Sequence, residues 1–396
     1  MKIKSIAPFA ASLPMKKPVT MAAETVARAD NVFVRVESDD GLVGWGEAAS
    51  APTMTGETVA SMMAAVALMA PALIGRAAEE FGAIAAAVNT VMYGNSGAKA
   101  AIDIALHDLV ARANNRPLHA LFGAKRRSRI ALLAVVGSTD QAADLREAHE
   151  RWAAGYRAFK IKVGLAPPEA DAARTRALCA MLKSNGEDCL LSADANQGFS
   201  VEDACRYGIA VADCGLDFFE QPVRADDLDG MARVAAASRV PIGADEGIHS
   251  LADIERHHAR KAAAGVSLKA IKLGGLPAVF AACQLCDRLG MKVNISCKTG
   301  ESSVASAAAL HVAATVPALD WGLTLTSHAL AEMSRSSRSP SRAAMSACRI
   351  GRVWASTWTS AACSAGNTNS LRAKWRRRRT TDERFRPAFY SAHEDA

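Results

Sequence analysis

The sequence predicts an α/β protein: a (β/α)8 barrel whose last unit is disrupted, preceded by a smaller α+β domain. Three observations carry this. Within residues 1–50 the runs MKIKSIAPF, NVFVRVES and LVGWGEA alternate apolar and polar residues, as strands with one buried face do. From Arg129 onward eight short apolar runs recur with amphipathic helical segments between them, the rhythm of successive β/α units. The length, 396 residues of which 50% are hydrophobic, allows one large core and a second, smaller one.

Taken in order, Asp39-Asp40-Gly41 separates the second and third runs and predicts a hairpin turn in a small antiparallel sheet. Residues 57–122 read as Ala-rich helices, interrupted at Asn95-Ser96-Gly97 and ending in the long segment GAKAAIDIALHDLVARANNRPLHALFG. Residues 1–125 therefore form the first domain. The barrel, residues 126–332, is built on the runs IALLAVVG, FKIKVG, CLLSADAN, DFFEQP, PIGADE, SLKAIKLGG, VNISCKTGES and DWGLTLTS. Strands this apolar are buried on both faces, and eight units in succession favour a closed barrel over an open sheet. Polar residues collect where each run ends, which in such barrels is the face that carries the chemistry.

Residues 333–396 have a different texture. Periodicity is lost, Ser and Arg dominate, and the segment holds 13 basic and 4 acidic residues together with Trp354, Trp358 and Trp375. The net charge of +7 therefore belongs to this tail, and the preceding 332 residues carry about −2. A basic tail with aromatics, Arg376 to Arg379 above all, is compatible with a nucleic-acid arm, but loss of pattern inside the last β/α unit favours an aberrant or disordered tail, and no nucleic-acid partner is expected. No run of 18 apolar residues and no signal-peptide pattern occurs, so a cytoplasmic protein without a membrane partner is expected. The odd count of nine cysteines opposes a disulfide framework, and Cys283-x-x-Cys286 falls on a helical run with no second pair, which favours a packing role over a metal or redox one.

Asp194, Glu220 and Asp245 close three successive strand runs, 26 and 25 residues apart, so a barrel sets them side by side at its mouth. Three oxygen ligands without His or Cys suit a hard ion, Mg²⁺ before Mn²⁺. Acids at strand ends can also cap the following helices, which would explain one of the three better than all of them. Lys160 and Lys162 lie two apart on the preceding strand and share its face, and Lys269 follows on the strand after Asp245. Lysines next to each other and near a divalent cation are expected to have lowered pKa values, as a base working near neutral pH requires. A hard ion flanked by lysines on two sides fits removal of the proton α to a carboxylate through a metal-stabilised enediolate.

LSADANQGF, FFEQP, GADEG and SLKAIKLGG, together with the helix segment GAKAAIDIALHDLVARANNRPLHALFG, resemble in order and spacing the signatures of the enolase superfamily, specifically the mandelate racemase and muconate lactonizing enzyme family in its K-x-K branch. The resemblance covers residues 1–332 and implies a TIM barrel under an N-terminal capping domain. It implies Asp194, Glu220 and Asp245 as metal ligands with Asn196 supporting them, Lys162 as the base on one face and Lys269 as the acid or base on the other, and Lys160 as an electrostatic partner of the substrate carboxylate. Glu301 resembles the family's acid after the seventh strand and Lys298 stands close by, a solvated strand-end lysine being the favoured role for the latter. The capping loops would span Leu13 to Val26 and Ala49 to Thr58, with Met21, Thr53 and Met54 facing the substrate. The eighth run lacks the D-x-D that dipeptide epimerases of this family would show, which disfavours dipeptides. Trp321 there could face a cationic substrate, although a core role is preferred. The resemblance thus implies a homo-oligomeric isomerase of a small carboxylate, a racemase or epimerase of an amino-acid derivative or a muconate-type cycloisomerase, with a dehydratase or a catalytically decayed member as alternatives.

Overall fold

The computed structural model describes residues 1–22 and 24–331; residues 332–396, and with them the basic tail, lie outside the described residues. Three strands, β1 (Ile3–Thr20), β2 (Thr25–Ser38) and β3 (Val43–Ala49), form an antiparallel sheet in that order, and Asp39-Asp40-Gly41 makes the expected turn between β2 and β3. The first two strands run further than the sequence predicts. The segment expected to be a loop from Leu13 to Val26 is a hairpin in which β1 continues to Thr20 and pairs it with Thr25. Pro8, Pro14 and Pro18 are tolerated because β1 is an edge strand, where a missing N–H breaks no ladder on the outer side, and the register slips between Pro14 and Val19.

Helices α1 (Val59–Met69), α2 (Phe81–Val91) and α3 (Ser96–Ala113) follow. Helix α3 starts at the predicted break, after Asn95 in a left-handed conformation. The buried carboxylate of Glu57 accepts hydrogen bonds from Gly97 N (2.7 Å) and Ala98 N (3.0 Å), satisfying donors that a helix start leaves open. The same device fastens this domain to the barrel. Glu47 on β3 accepts from Ser302 N (2.8 Å), Ser302 Oγ (2.7 Å) and Ala305 N (3.1 Å), and Asp103 on α3 accepts from Leu276 N (2.7 Å), so two carboxylates of one domain sit on helix starts of the other.

The barrel strands are β4 (Leu133–Val136), β5 (Ala158–Lys162), β6 (Leu190–Asp194), β7 (Phe218–Glu220), β8 (Ile242–Ala244), β9 (Gly265–Leu268), β10 (Lys292–Ser296) and β11 (Leu323–Thr324), all parallel and each bonded to its sequence neighbour. Each of the eight predicted runs overlaps its strand, although β5, β9 and β10 begin one or two residues earlier. Helices α4 (Gln141–Ala153), α5 (Pro168–Lys183), α6 (Val201–Ala210), α7 (Leu228–Ala237), α8 (Leu251–Ala259), α9 (Ala270–Leu273), α10 (Leu276–Leu289) and α11 (Ser303–Ala313) alternate with them. The eighth strand is in place despite the disruption expected of the last unit. A parallel bridge between Leu132 and Leu323, with Leu323 N bonded to Ala131 O at 2.9 Å, brings the two edges of the sheet together.

Alternation along the strands divides their side chains. Phe159, Ile161, Leu191, Ala193, Phe219, Ile242, Val266, Leu268, Val293 and Ile295 point outward and pack with the helices in the main core. At the N-terminal end of the interior, Leu133, Ala158, Phe218 and Trp321 form an apolar plug in which the Phe218 and Trp321 rings stack at 4.2 Å. Trp321 thus has the core role. A Cβ at Gly265 would lie 2.5 Å from its ring and one at Gly243 3.1 Å, so glycines on β8 and β9 leave room for the indole. Cys283 and Cys286 are free thiols buried among the helices, as a packing role requires.

Candidate active site

The strand ends place the three acids together. Asp194 pairs in register with Glu220 on the neighbouring strand, and Asp245 follows β8 directly. None of the three caps a helix: the starts of α6, α7 and α8 are capped by Ser200, Asp227 and Ser250. All three carboxylates are buried, and the lysines are set among them. Lys160 forms an ion pair with Glu220 and lies 3.9 Å from Asp194 Oδ2. Lys162 Nζ donates to Asp194 Oδ2 at 2.6 Å and to Asn196 Oδ1 at 2.5 Å. Lys269 pairs with Asp245 Oδ2.

Two further residues hold Asp245, and sequence reasoning missed both. Lys272, wholly buried, donates to Asp245 Oδ1 at 2.6 Å, to Ser267 O at 3.1 Å and to Asp245 O. Gln221, at a left-handed φ of 33°, accepts from Asp245 N at 2.8 Å. The available signals were the K-x-x-K spacing in SLKAIKLGG, which puts both ammonium groups on one side of a helical turn, and the Gln that directly follows Glu220.

This company decides the charges. Burial works against ionised Asp194 and Asp245, yet the lysines beside them outweigh it and both carboxyls are held below their ordinary range. For Glu220 burial wins and its pKa is raised. Burial pushes Lys160 and Lys269 down, but the adjoining carboxylates of Glu220 and of Asp245 outweigh it, so both are raised. Lys272 falls, through burial and the repulsion of Lys269. Among the described residues no three acids, histidines or cysteines are gathered closely enough to grip an ion as they stand, because ammonium groups lie against the carboxylates. The donor set nonetheless fits a hard divalent cation: three carboxylates at one mouth, with Glu220 Oε1 buried and without a hydrogen-bond partner.

A cavity of about 570 Å³ opens above this cluster, lined by Lys160, Lys162, Asp194, Asp245 and Lys269 below. Met21, Thr53, Met54 and Lys298 line it too, the first three from the capping domain as expected. Glu301 does not; it is buried beneath, accepting from Lys298 N at 2.8 Å. Lys298 corrects an expectation. It is 4% exposed rather than solvated, and its ammonium meets Glu24, in the turn of the β1–β2 hairpin, at 2.5 Å.

Residues 5–123 match the family model described as the N-terminal domain of mandelate racemase and muconate lactonizing enzyme, and residues 143–343 match the one described as enolase C-terminal domain-like. The chain belongs to the mandelate racemase and muconate lactonizing enzyme family. It is 33% identical over 318 residues to an L-Ala-D/L-Glu epimerase of Clostridium acetobutylicum, a match covering 79% of this chain and 87% of the relative. A chloromuconate cycloisomerase of Cupriavidus necator is 33% identical over 332 residues, with 82% and 88% covered. Among solved structures, a dipeptide epimerase of Enterococcus faecalis complexed with Mg and the dipeptide L-Leu-L-Tyr superposes with a TM-score of 0.76 at 31% identity, covering 81% of this chain and 89% of that one. Family members with epimerase, racemase and cycloisomerase names are all isomerases, and this member of the enolase superfamily is an isomerase as well. Among the described residues none of its helices is long and apolar enough to cross a membrane.

Proposed function

We propose that this isomerase moves the proton α to the carboxylate of a small substrate, racemising or epimerising an amino-acid derivative or closing a muconate-type lactone, with Asp194, Glu220 and Asp245 as ligands of Mg²⁺ or Mn²⁺. One observation carries the proposal: Lys162 on β5 and Lys269 after β9 line the same cavity four strands apart in a ring of eight, on opposite sides of the acids. The ion, when bound, supplies the positive charge that makes an enediolate accessible. Everything else falls to side chains. One lysine takes the proton from Cα, and the other, as its ammonium, returns one to the opposite face, which inverts the centre; lactone formation needs only the returning step. Lys160, buried between Asp194 and Glu220, holds positive charge beside the substrate carboxylate without reaching the proton. Met21, Thr53 and Met54 cover the cavity and keep water out, which strengthens each charge contact inside.

Proton NMR in D2O with Mg²⁺ and a pool of N-acyl amino acids and muconates tests this. Wild-type protein exchanges the α-proton of a substrate, and Lys162→Ala and Lys269→Ala each lower the exchange by roughly 10²–10⁴-fold. Exchange at the wild-type rate in both variants would sink the assignment.

A further inference from the structure

Asp245 has an unusual number of partners. Gln221 holds its amide, Lys269 meets Oδ2, and Lys272 takes Oδ1 and the main-chain carbonyl. Lys272 does not itself face the cavity, it is wholly buried, and its third acceptor, Ser267 O, lies on the neighbouring strand β9. An ammonium there is costly to bury unless it is paired, and a methionine of similar length would fill the space without that cost. What a methionine could not do is fix a carboxylate and the strand end that bears it.

We propose that Lys272 is a positioning residue for the divalent ion: it holds Asp245 by one oxygen and by its backbone, so that the carboxylate stays correctly turned while Lys269 is left to work on the substrate. The inference rests on the reading of Asp245 as a metal ligand. It follows from the local fold. Lys269 precedes the single turn α9, and the i, i+3 spacing brings Lys272 back to the same carboxylate from the other side. Helix α9 cannot drift, because Asp103 of the capping domain bonds Leu276 N at the start of the next helix.

The test is Mg²⁺ binding by titration calorimetry, without substrate, on wild-type protein and on Asp245→Asn, Lys272→Met and Lys272→Arg, with circular dichroism and a thermal melt for each. Wild-type protein binds Mg²⁺ and Asp245→Asn loses most of the affinity. Lys272→Met weakens binding by roughly 10–100-fold, the range for removing a group that orients a ligand, and Lys272→Arg recovers part of it because the charge remains. A Lys272→Met that binds as wild type does, beside an Asp245→Asn that does not bind, overturns the role of Lys272 and leaves the metal reading standing. Failure of wild-type protein to bind overturns both. If Lys272→Met does not fold, Lys272→Arg and Lys272→Gln decide: unequal Mg²⁺ affinities, the Arg variant tighter, support the proposal, and equal wild-type affinities with only lowered melting points reject it.

Discussion

Two layers of the barrel interior, one residue pair apart on the same strands, obey opposite rules. At the N-terminal end Leu133, Ala158, Phe218 and Trp321 pack as an apolar cluster, with the Phe218 ring stacked on the indole. One step along, the inward positions are Lys160 and Glu220, then Lys162, Asp194, Asp245 and Lys269. Both layers are buried, with Lys162 alone partly exposed. The plug is held by contact and shape alone. The charged layer survives burial only because each ammonium has a carboxylate and each carboxylate an ammonium, so its stability lies in the pairs rather than in the residues. In a barrel this divides the labour: the sealed end keeps the strands together, and the paired end keeps charge available at the mouth.

The comparison breaks most readily at Lys160. Lys160→Met leaves Glu220 buried without its partner and is expected to destabilise by about 3–5 kcal/mol, whereas the double change Lys160→Met and Glu220→Leu restores most of that loss. Urea denaturation of the three proteins checks it, and equal losses in single and double variants would show that the pair is not the unit. At the other end Trp321→Ala is expected to cost about 3–5 kcal/mol from the void it opens, with Mg²⁺ affinity per folded molecule unchanged; a matching fall in affinity would mean that the two layers are not independent.

A third test uses a buried acid just below the mouth. Burial, with the Glu47 carboxylate behind it, pushes the Glu301 carboxyl up to about 8. The folded protein keeps this proton where the unfolded chain, near the ordinary 4.5, has lost it, so the contribution is complete below about pH 4.5 and is lost as pH rises to about 8. Glu301→Gln is therefore expected to flatten the decline in stability across that window by a difference on the order of a few kcal/mol. Parallel stability curves for variant and wild type would reject the buried proton. The smallest effect is expected at an exposed pair of the same chemistry: Lys292→Ala, which breaks a 2.9 Å contact with Asp320 at the barrel's outer rim, should cost under about 1 kcal/mol. A loss as large as that at Lys160 would remove burial as the cause of the difference.

Much of this was legible in the chain. Strands buried on both faces write themselves as unbroken apolar runs, which is why all eight were found, and an acid that ends a run at a repeat of one β/α unit is placed by the fold alone. The edge strand was read short because proline signals a break locally, and only membership of a sheet edge makes it harmless. Lys298 was misjudged because a lysine after a strand looks solvated until Glu24, 274 residues away, is brought against it. Gln221 and Lys272 carried only a spacing, a Gln next to Glu220 and a Lys three after Lys269, which was passed over because their work is done on Asp245 rather than on substrate.

By itself, then, the sequence determined the periodicities: which residues face the helices, which face the barrel axis, and which acids and lysines reach its mouth. The tertiary structure alone decided how those charges are shared. A pKa depends on every charge within a few ångströms, and around Lys160 and Lys269 those charges come from the ends of three neighbouring strands, β6, β7 and β8, whose carboxylates outweigh burial and raise both lysines.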